Sequence, residues 1–501
     1  MPRLGEAVAV VRRQGSSLVA WAVGAALTVP AFGAEQPNIV LIVADDLGYP
    51  DICAYGCTSG RTPHIDSLAE RGVKFTDGYV SAPICSPSRA GMLTGRYQQR
   101  FGHEFNAGGQ ARSHRMGLGT PASETLLPAY LKAAGYATGM SGKWHLGSID
   151  ALHPLNRGFD EFFGFLHGAN AYFDRKSRTD AVFANAKGLR GRGPINPILR
   201  GHEPVHESEY LTDALTREAV AFVERHAGNP FFLYVPYNAP HTPLEVTQRY
   251  YDRFPEIEDH ATRVYKAMIS AVDDGVGAIL AKLEEHGVAD DTLTIFTADN
   301  GCAVYTRACT NKPLSHGKLL PFEGGVRVPF VAAWPNGLPA GRTVDTPVST
   351  LDIVPTAVDL AGVPMTHMAR QRFDGVNFVD LVDAPARAVK REAADSLKYQ
   401  PLRLGTRDRP IFWRNKDNTG VRFGRWKLVR LGELEFLFDL STDIGEETNL
   451  IDAKPDVAAE LRRAYDAWAR ETRAPLWPPK NIAKVPVDLP GIGERVIDTA
   501  I

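Results

Sequence analysis

The chain has 501 residues, and its 56 Lys and Arg against 58 Asp and Glu give a net charge of −2. Hydrophobic residues make up 44% and charged residues 23%. These are the fractions of an ordinary folded protein, which exclude long disorder and leave no global basic field for nucleic acid. Five cysteines are too few for a disulfide scaffold of this size, and their odd number leaves at least one without an intramolecular partner.

Arg3, Arg12 and Arg13 precede an apolar run from Leu18 to Val29, with the small residues Ala31 and Gly33 after it. This pattern predicts a secretory signal peptide over residues 1–33 and a secreted or periplasmic location. No later segment has the ~18 uncharged apolar residues of a spanning helix, so no stable membrane span is expected. Export permits disulfides, and Cys53/Cys57 and Cys302/Cys309 are the short-range candidates.

Ile39–Ala44, Phe231–Tyr237, Leu293–Ala298 and Val328–Ala333 are apolar runs without alternation, the signature of strands covered on both faces. Tyr136–Ser141 is a weaker strand. Between them, Thr125–Ala134, Thr212–His226 and Ala261–Glu285 carry helical spacing, the last followed by Gly287 as a C-cap. The order predicts an α/β domain, a large and mostly parallel sheet covered by helices, over residues 34–390. From Ile411 to Asp439 four short strand-like pieces follow, and Val457–Thr472 reads as a helix. Residues 391–501 are therefore expected to form a smaller antiparallel sheet with one packed helix.

The strand runs end in polar residues. Ile39–Ala44 ends in Asp45-Asp46, Leu293–Ala298 in Asp299-Asn300-Gly301, and Phe231–Tyr237 leads to His241. The weaker strand leads to Lys143-Trp144-His145. Ligands of open α/β sheets bind at the carboxyl ends of the strands, so these segments can converge. Taken singly, each is also an ordinary turn. Asp45, Asp46, Asp299 and Asn300 offer only oxygen ligands, which suits a hard cation such as Ca²⁺ or Mg²⁺. Lys143, His145, His241 and Lys318 add donors for a tetrahedral oxyanion, a sulfate or a phosphate.

In Cys85-Ser86-Pro87-Ser88-Arg89, Ser86 can cap a helix and Pro87 can occupy its first turn. Cys85 then lies at a helix N-terminus, with Arg89 four residues on. A thiolate nucleophile is one reading, and a buried inert cysteine is another. A soft thiolate fits poorly beside an all-oxygen metal site, and an oxygen-bearing replacement fits better.

Cys-x-Pro-Ser-Arg followed by Gly91-Met-Leu-Thr-Gly-Arg resembles the type I sulfatases of the alkaline phosphatase superfamily. The resemblance starts at Asn38-Ile-Val-Leu-Ile-Val-Ala-Asp-Asp-Leu-Gly and runs through Thr62-Pro-His-Ile-Asp, Ser141-Gly-Lys-Trp-His-Leu-Gly and Ala239-Pro-His. It continues through Ala298-Asp-Asn-Gly, Gly317-Lys318 and Glu323-Gly-Gly-Val-Arg-Val-Pro to Leu437-Phe-Asp-Leu-Ser-Thr-Asp. It implies that a formylglycine-generating or anaerobic sulfatase-maturating enzyme oxidises Cys85 to formylglycine, the nucleophile in its hydrated form. Asp45, Asp46, Asp299, Asn300 and the modified residue 85 would bind Ca²⁺. Arg89 would hold the diol, and Lys143 and Lys318 would bind sulfate oxygens. His241 would protonate the leaving oxygen, and His145 would take the proton when sulfate is eliminated. Leu319 and Leu320 depart from the small or hydroxyl residues expected there. His316 is unusual too, as a substrate contact or as packing.

Gly95–Asn106 and Asn156–His167 resemble bacterial sulfatases of sulfated polysaccharides, in particular carrageenan-like galactans. The expected substrate is a sulfated carbohydrate. His103, Glu104, His167 and Asn170 are candidate sugar contacts, and Tyr172 and Phe173 would stack on a sugar or pack. Arg175–Pro204 reads as a long loop. The competing readings are a phosphonate, phosphate or choline-sulfate ester hydrolase, and an inactive glycan-binding protein with unmodified Cys85.

Overall fold

The computed structural model describes residues 36–57, 59–108, 110–174, 180–184, 196–363, 372–382 and 409–501. The expected signal peptide over 1–33 and the expected domain boundary at 390/391 lie outside the described residues. Gln36–Ile501 pack as one unit.

The strand Asn38–Ala44 shows why the large sheet is covered on both sides. Its odd and even residues point to opposite faces and all are apolar after Asn38. Val40 and Ile42 enter one hydrophobic core, and Ile39, Leu41 and Val43 enter another. The first core holds the helices Leu211–His226 and His260–Glu285. The second holds Cys85–Thr94, Leu127–Ala133 and Ile353–Leu360.

Among the described residues the sheet has ten strands. Its centre runs Thr292–Ala298, Asn38–Ala44, Phe231–Pro236, Ala137–Lys143 and Glu161–Phe165, all parallel. Phe330–Ala333 joins antiparallel beside Thr292–Ala298, where the sequence suggested only another buried strand. The parallel register brings Ala44 level with Ala298, so Asp45 and Asp299 leave the sheet together. Gly287, after the long helix, has the positive φ of 68° that its C-capping position requires.

The segment read as a loop over Arg175–Pro204 is partly sheet. Ala181–Phe183 pairs with Glu245–Thr247, and Ile198–Arg200 and Glu203–Val205 extend the large sheet at one edge. These pieces are three residues long, too short for a periodic signal.

The smaller sheet is the antiparallel meander Ile411–Asn415, Asn418–Phe423, Trp426–Leu431 and Leu434–Asp439. The helix Pro455–Arg470 packs on it through Ala458, Leu461 and Trp468. A further hairpin, Ile482–Leu489 with Gly493–Ala500, went unread in the sequence. Its alternation was present, since Val485, Val487 and Leu489 are buried between exposed neighbours, but Pro486 interrupts the run. Among the described residues no helix is long and apolar enough to cross a membrane.

Buried ion pairs join the smaller sheet to the larger. Lys427 lies 2.8 Å from Glu323 and 2.9 Å from Glu446, with all three side chains fully buried. Arg422 reaches Asp77 at 2.6 Å, and the Trp413 indole N–H donates to the Val80 carbonyl at 2.7 Å. Replacing Lys427 leaves the buried Glu446 without its cation and Glu323 with Arg327 alone. Lys427→Met should therefore lower the unfolding free energy by about 3–5 kcal/mol, read by urea denaturation. A change under about 1 kcal/mol, the size expected of an exposed pair, would count against this junction.

Candidate active site

The site is built where strand ends meet. The Asp45 N–H donates to the Ala239 carbonyl at 3.0 Å, and the Asp299 N–H donates to the Ala44 carbonyl at 3.2 Å. The Asp46 N–H donates to the Asp299 carboxylate at 3.2 Å, with Asp46 at a φ of 63°. Two backbone–backbone bonds and one to the Asp299 carboxylate thus set the three acidic residues side by side.

Each buried carboxylate takes a cation. Lys143 Nζ is 2.5 Å from Asp45, Lys318 Nζ is 2.6 Å from Asp46, and Arg89 is 2.8 Å from Asp299. Burial and the neighbouring Asp299 raise the Asp45 pKa, although Lys143 pulls it the other way. Against the cost of burial, Lys318 and His241 hold Asp46 below the usual carboxylate range.

Cys85 is the first residue of the helix Cys85–Thr94, and its thiol lies 3.1 Å from Lys318 Nζ and 3.6 Å from Asp45. Ile84 holds the N-cap position, not Ser86. Ser86 instead donates its hydroxyl to the His145 carbonyl at 2.6 Å and meets His103 Nε2 at 2.7 Å. Burial pushes the Cys85 thiol up to about 12, with Lys143 and Lys318 opposing, which argues against a thiolate nucleophile at neutral pH. The chain bridges Cys53 to Cys57 and Cys302 to Cys309, and Cys85 is the free cysteine.

Both candidate histidines border the same space. His241 donates its Nδ1 proton to the Thr242 carbonyl at 2.6 Å, which leaves Nε2 3.7 Å from Asp46. Its side chain is 17% exposed, the open side of an otherwise closed cluster. His145 is buried at a φ of 60°, and its ring packs on Gly168, where a Cβ would approach to 2.7 Å. Burial, with Lys143 and Arg89 adding to it, pushes His145 well below its usual range, so the imidazole is neutral. His145 Nδ1 has no hydrogen-bond partner among the described residues.

Asp45, Asp46, Cys85 and His241 bring one ligand atom each within 4.8 Å of one another. The sequence expectation had Asp299 and Asn300 in place of His241. Both oxygens of Asp299 are already engaged, by Arg89 and by the Asp46 N–H. Asn300 donates its amide to Asp46 at 2.8 Å, while its Oδ1 is buried without a partner. A buried, unpaired amide oxygen beside two carboxylates is a donor set that fits a hard divalent cation.

The expected sugar contacts fare differently. His103 is fully buried between Ser86 and Thr120, and burial pushes it down to about 3. Glu104 is buried and paired with Arg414 at 2.7 Å. Asn170 donates to the Asn196 carbonyl at 3.0 Å. His103 and Glu104 are corrected to internal supports, because their polar atoms face partners inside the protein, and the Asn170 amide is spent on the chain at Asn196. His167 stays beside the site, one residue before the Gly168 that packs on His145. Tyr172 and Phe173 are core residues, and the Tyr172 hydroxyl donates to the Asn238 carbonyl at 2.6 Å. His316 packs its ring 4.3 Å from Phe322.

Leu319 and Leu320 are explained by the smaller sheet. They sit in one apolar cluster with Val429, Phe436, Val485 and Val487. Asn415 and Thr499 both donate to the Leu319 carbonyl, at 3.1 and 3.0 Å. Lys318 is thus held by packing that its own motif does not reveal.

Residues 37–363 match the family model described as Sulfatase. The chain belongs to the sulfatase family. It is 36% identical over 362 residues to N-acetylgalactosamine-6-sulfatase of Homo sapiens, covering 70% of this chain and 66% of that relative. The chain thus spans just under two thirds of that relative's length. It is 31% identical to human arylsulfatase A over 94% of both chains. The crystal structure of Ps i-CgsB in complex with k-i-k-neocarrahexaose superposes with a TM-score of 0.76 at 35% identity, covering 88% of this chain and 95% of that one.

Ca²⁺ added to chelator-treated protein should raise its thermal midpoint, by the equivalent of about 2.7 kcal/mol at a hundredfold excess over Kd. Asp46→Asn and Asn300→Ala should each shrink that shift. An equal shift in wild type and both variants would place the ion elsewhere.

Proposed function

We propose that this sulfatase hydrolyses sulfate esters of a sulfated carbohydrate, with a carrageenan-like galactan as the leading substrate class. The observation that carries the reading is the set of three buried cations and two histidines gathered around Cys85. Similarity to Ps i-CgsB, solved with k-i-k-neocarrahexaose, supports the galactan class.

Oxidation of Cys85 to formylglycine by a maturating enzyme would supply the hard oxygen nucleophile that a protonated thiol cannot. Ca²⁺ held by Asp45, Asp46 and Asn300, with Asp299 and residue 85 beside them, would neutralise the acidic cluster and polarise sulfate oxygens. Lys143 and Lys318 hold positive charge where sulfate oxygens become more negative, in a site too dry for water to screen it. Arg89, fixed on Asp299 and on the Lys143 carbonyl at 3.2 Å, steadies the base of residue 85. His241, on the open side with Nδ1–H tied to the Thr242 carbonyl, would protonate the departing alcohol oxygen from Nε2 in its imidazolium form. His145, neutral by burial, accepts the proton released when sulfate leaves. Export through the N-terminal segment would bring the enzyme to extracellular or periplasmic glycans.

Sulfate release from a panel of sulfated oligosaccharides, carrageenan fragments included, tests the reading directly. Turnover of phosphate esters alone would overturn it. In an active preparation the Cys85 peptide should be about 18 Da lighter than its thiol form, H₂S lost and O gained. An entirely unmodified peptide would sink the formylglycine assignment. Lys318→Ala should lower kcat by roughly 10²–10³, as expected for loss of one preorganised charge at the reacting group.

A further inference from the structure

We infer that Tyr305 seats the sugar ring that carries the scissile sulfate, as a specificity-determining contact on the rim of the site. The inference rests on the sulfated-carbohydrate reading above and names where the sugar lies.

The strand Thr292–Ala298 delivers Asp299 and Asn300 to the site, and the chain then enters a short loop closed by the Cys302–Cys309 disulfide. Within it, Val304–Thr306 forms one 3₁₀ turn with Tyr305 at its centre. The turn is fastened at both ends. The Thr306 N–H donates to the Ala303 carbonyl at 2.9 Å, and the Arg307 N–H donates to the Val304 carbonyl at 3.0 Å. The Cys302 carbonyl also accepts the Lys318 N–H at 3.1 Å, so Tyr305 and Lys318 hang from the same anchor. Gly317 fills the gap between them. A Cβ there would come within 2.4 Å of the Cys302 carbonyl and 3.1 Å of the Val304 side chain.

Tyr305 is 50% exposed, one of few large apolar side chains so placed among the described residues. It makes no hydrogen bond among those residues. Its hydroxyl is nevertheless within the electrostatic reach of Lys318, Asp46, Cys85 and Asp45, which puts the side chain beside the cluster. On a loop tied to the Lys318 backbone, the ring therefore stands at the rim of the cluster and leaves surface open to solvent.

A sugar sulfate presents an anionic group on a ring with apolar C–H faces. A site for it needs cations at one point and a flat apolar surface beside them. Lys318 and Lys143 supply the first, and the Tyr305 ring supplies the second. A tyrosine on a fastened turn has two side-chain torsions to fix, so binding a ring against it costs little ordering entropy. None of the four polar sugar contacts expected from the sequence offers such a surface.

The test uses full-length matured enzyme and two probes, a sulfated carrageenan hexasaccharide as substrate and inorganic sulfate as inhibitor. Tyr305→Ala should raise KM for the hexasaccharide about tenfold or more and leave inhibition by inorganic sulfate intact, since sulfate alone does not reach the ring. Tyr305→Phe, which keeps the ring, should restore most of the loss. An unchanged KM in Tyr305→Ala with an active wild type would overturn the role of Tyr305 and leave the proposed function standing. Equal losses in kcat for Ala and Phe, with KM unmoved, would also overturn it and point to the hydroxyl. A wild type that releases no sulfate from the hexasaccharide would overturn the galactan reading and the sugar seat together.

Discussion

Asp45, Asp46 and Asp299 are buried together with Lys143, Lys318 and Arg89, and each carboxylate touches at least one cation. Charges taken out of water are costly, and a set of this kind persists only where every member is matched. The matching constrains everything around it. The strand ends must lie in register, the helix that starts at Cys85 must present Arg89 to Asp299, and the loop bearing Lys318 must stay closed over Asp46. A hydrophobic cluster of the same volume would fold as easily. The protein keeps a set of strong local fields instead, aimed at one thiol.

The two sheets divide this labour. The parallel strands fix the carboxylates through backbone hydrogen bonds, which leaves little freedom to adapt. The cations arrive by other routes. Lys143 ends a strand, Arg89 comes from a helix, and Lys318 lies on a loop whose packing partners belong to the smaller sheet and its hairpin. Polar residues that looked from their positions like ligand contacts turn out to be struts. His103 supports Ser86, which holds the His145 carbonyl, and Glu104 ties the same region to Arg414.

Much of this was legible in the sequence because the signals were local. A covered strand is a continuous apolar run, and the polar residue that ends it is its neighbour in the chain. Asp45, Asp46, Lys143, His241 and Asp299 could be read in that way, and the Cys85 motif joined them. The antiparallel setting of Phe330–Ala333 could not be read, because a four-residue apolar run carries no direction. The burial of His103 and Glu104 could not be read either, since it depends on partners seventeen and 310 residues away. Leu319 and Leu320 looked anomalous for the same reason. Their environment is made by residues more than a hundred positions later. Tyr305 carried a weak local cue, an aromatic residue between two cysteines directly after a site strand, which gains meaning only once the loop is seen beside Lys318.

The Leu319 carbonyl, held jointly by Asn415 and Thr499, has an architectural consequence. Every candidate catalytic residue lies between positions 37 and 363, the span that matches the family. The part of the molecule that keeps Lys318 against Asp46 lies outside that span. A polypeptide trimmed to the matching region would contain every candidate catalytic residue, yet it would expose two leucines and an unpaired carbonyl beside the lysine proposed to bind sulfate. In this enzyme the boundary of the homologous domain and the boundary of the working site do not coincide.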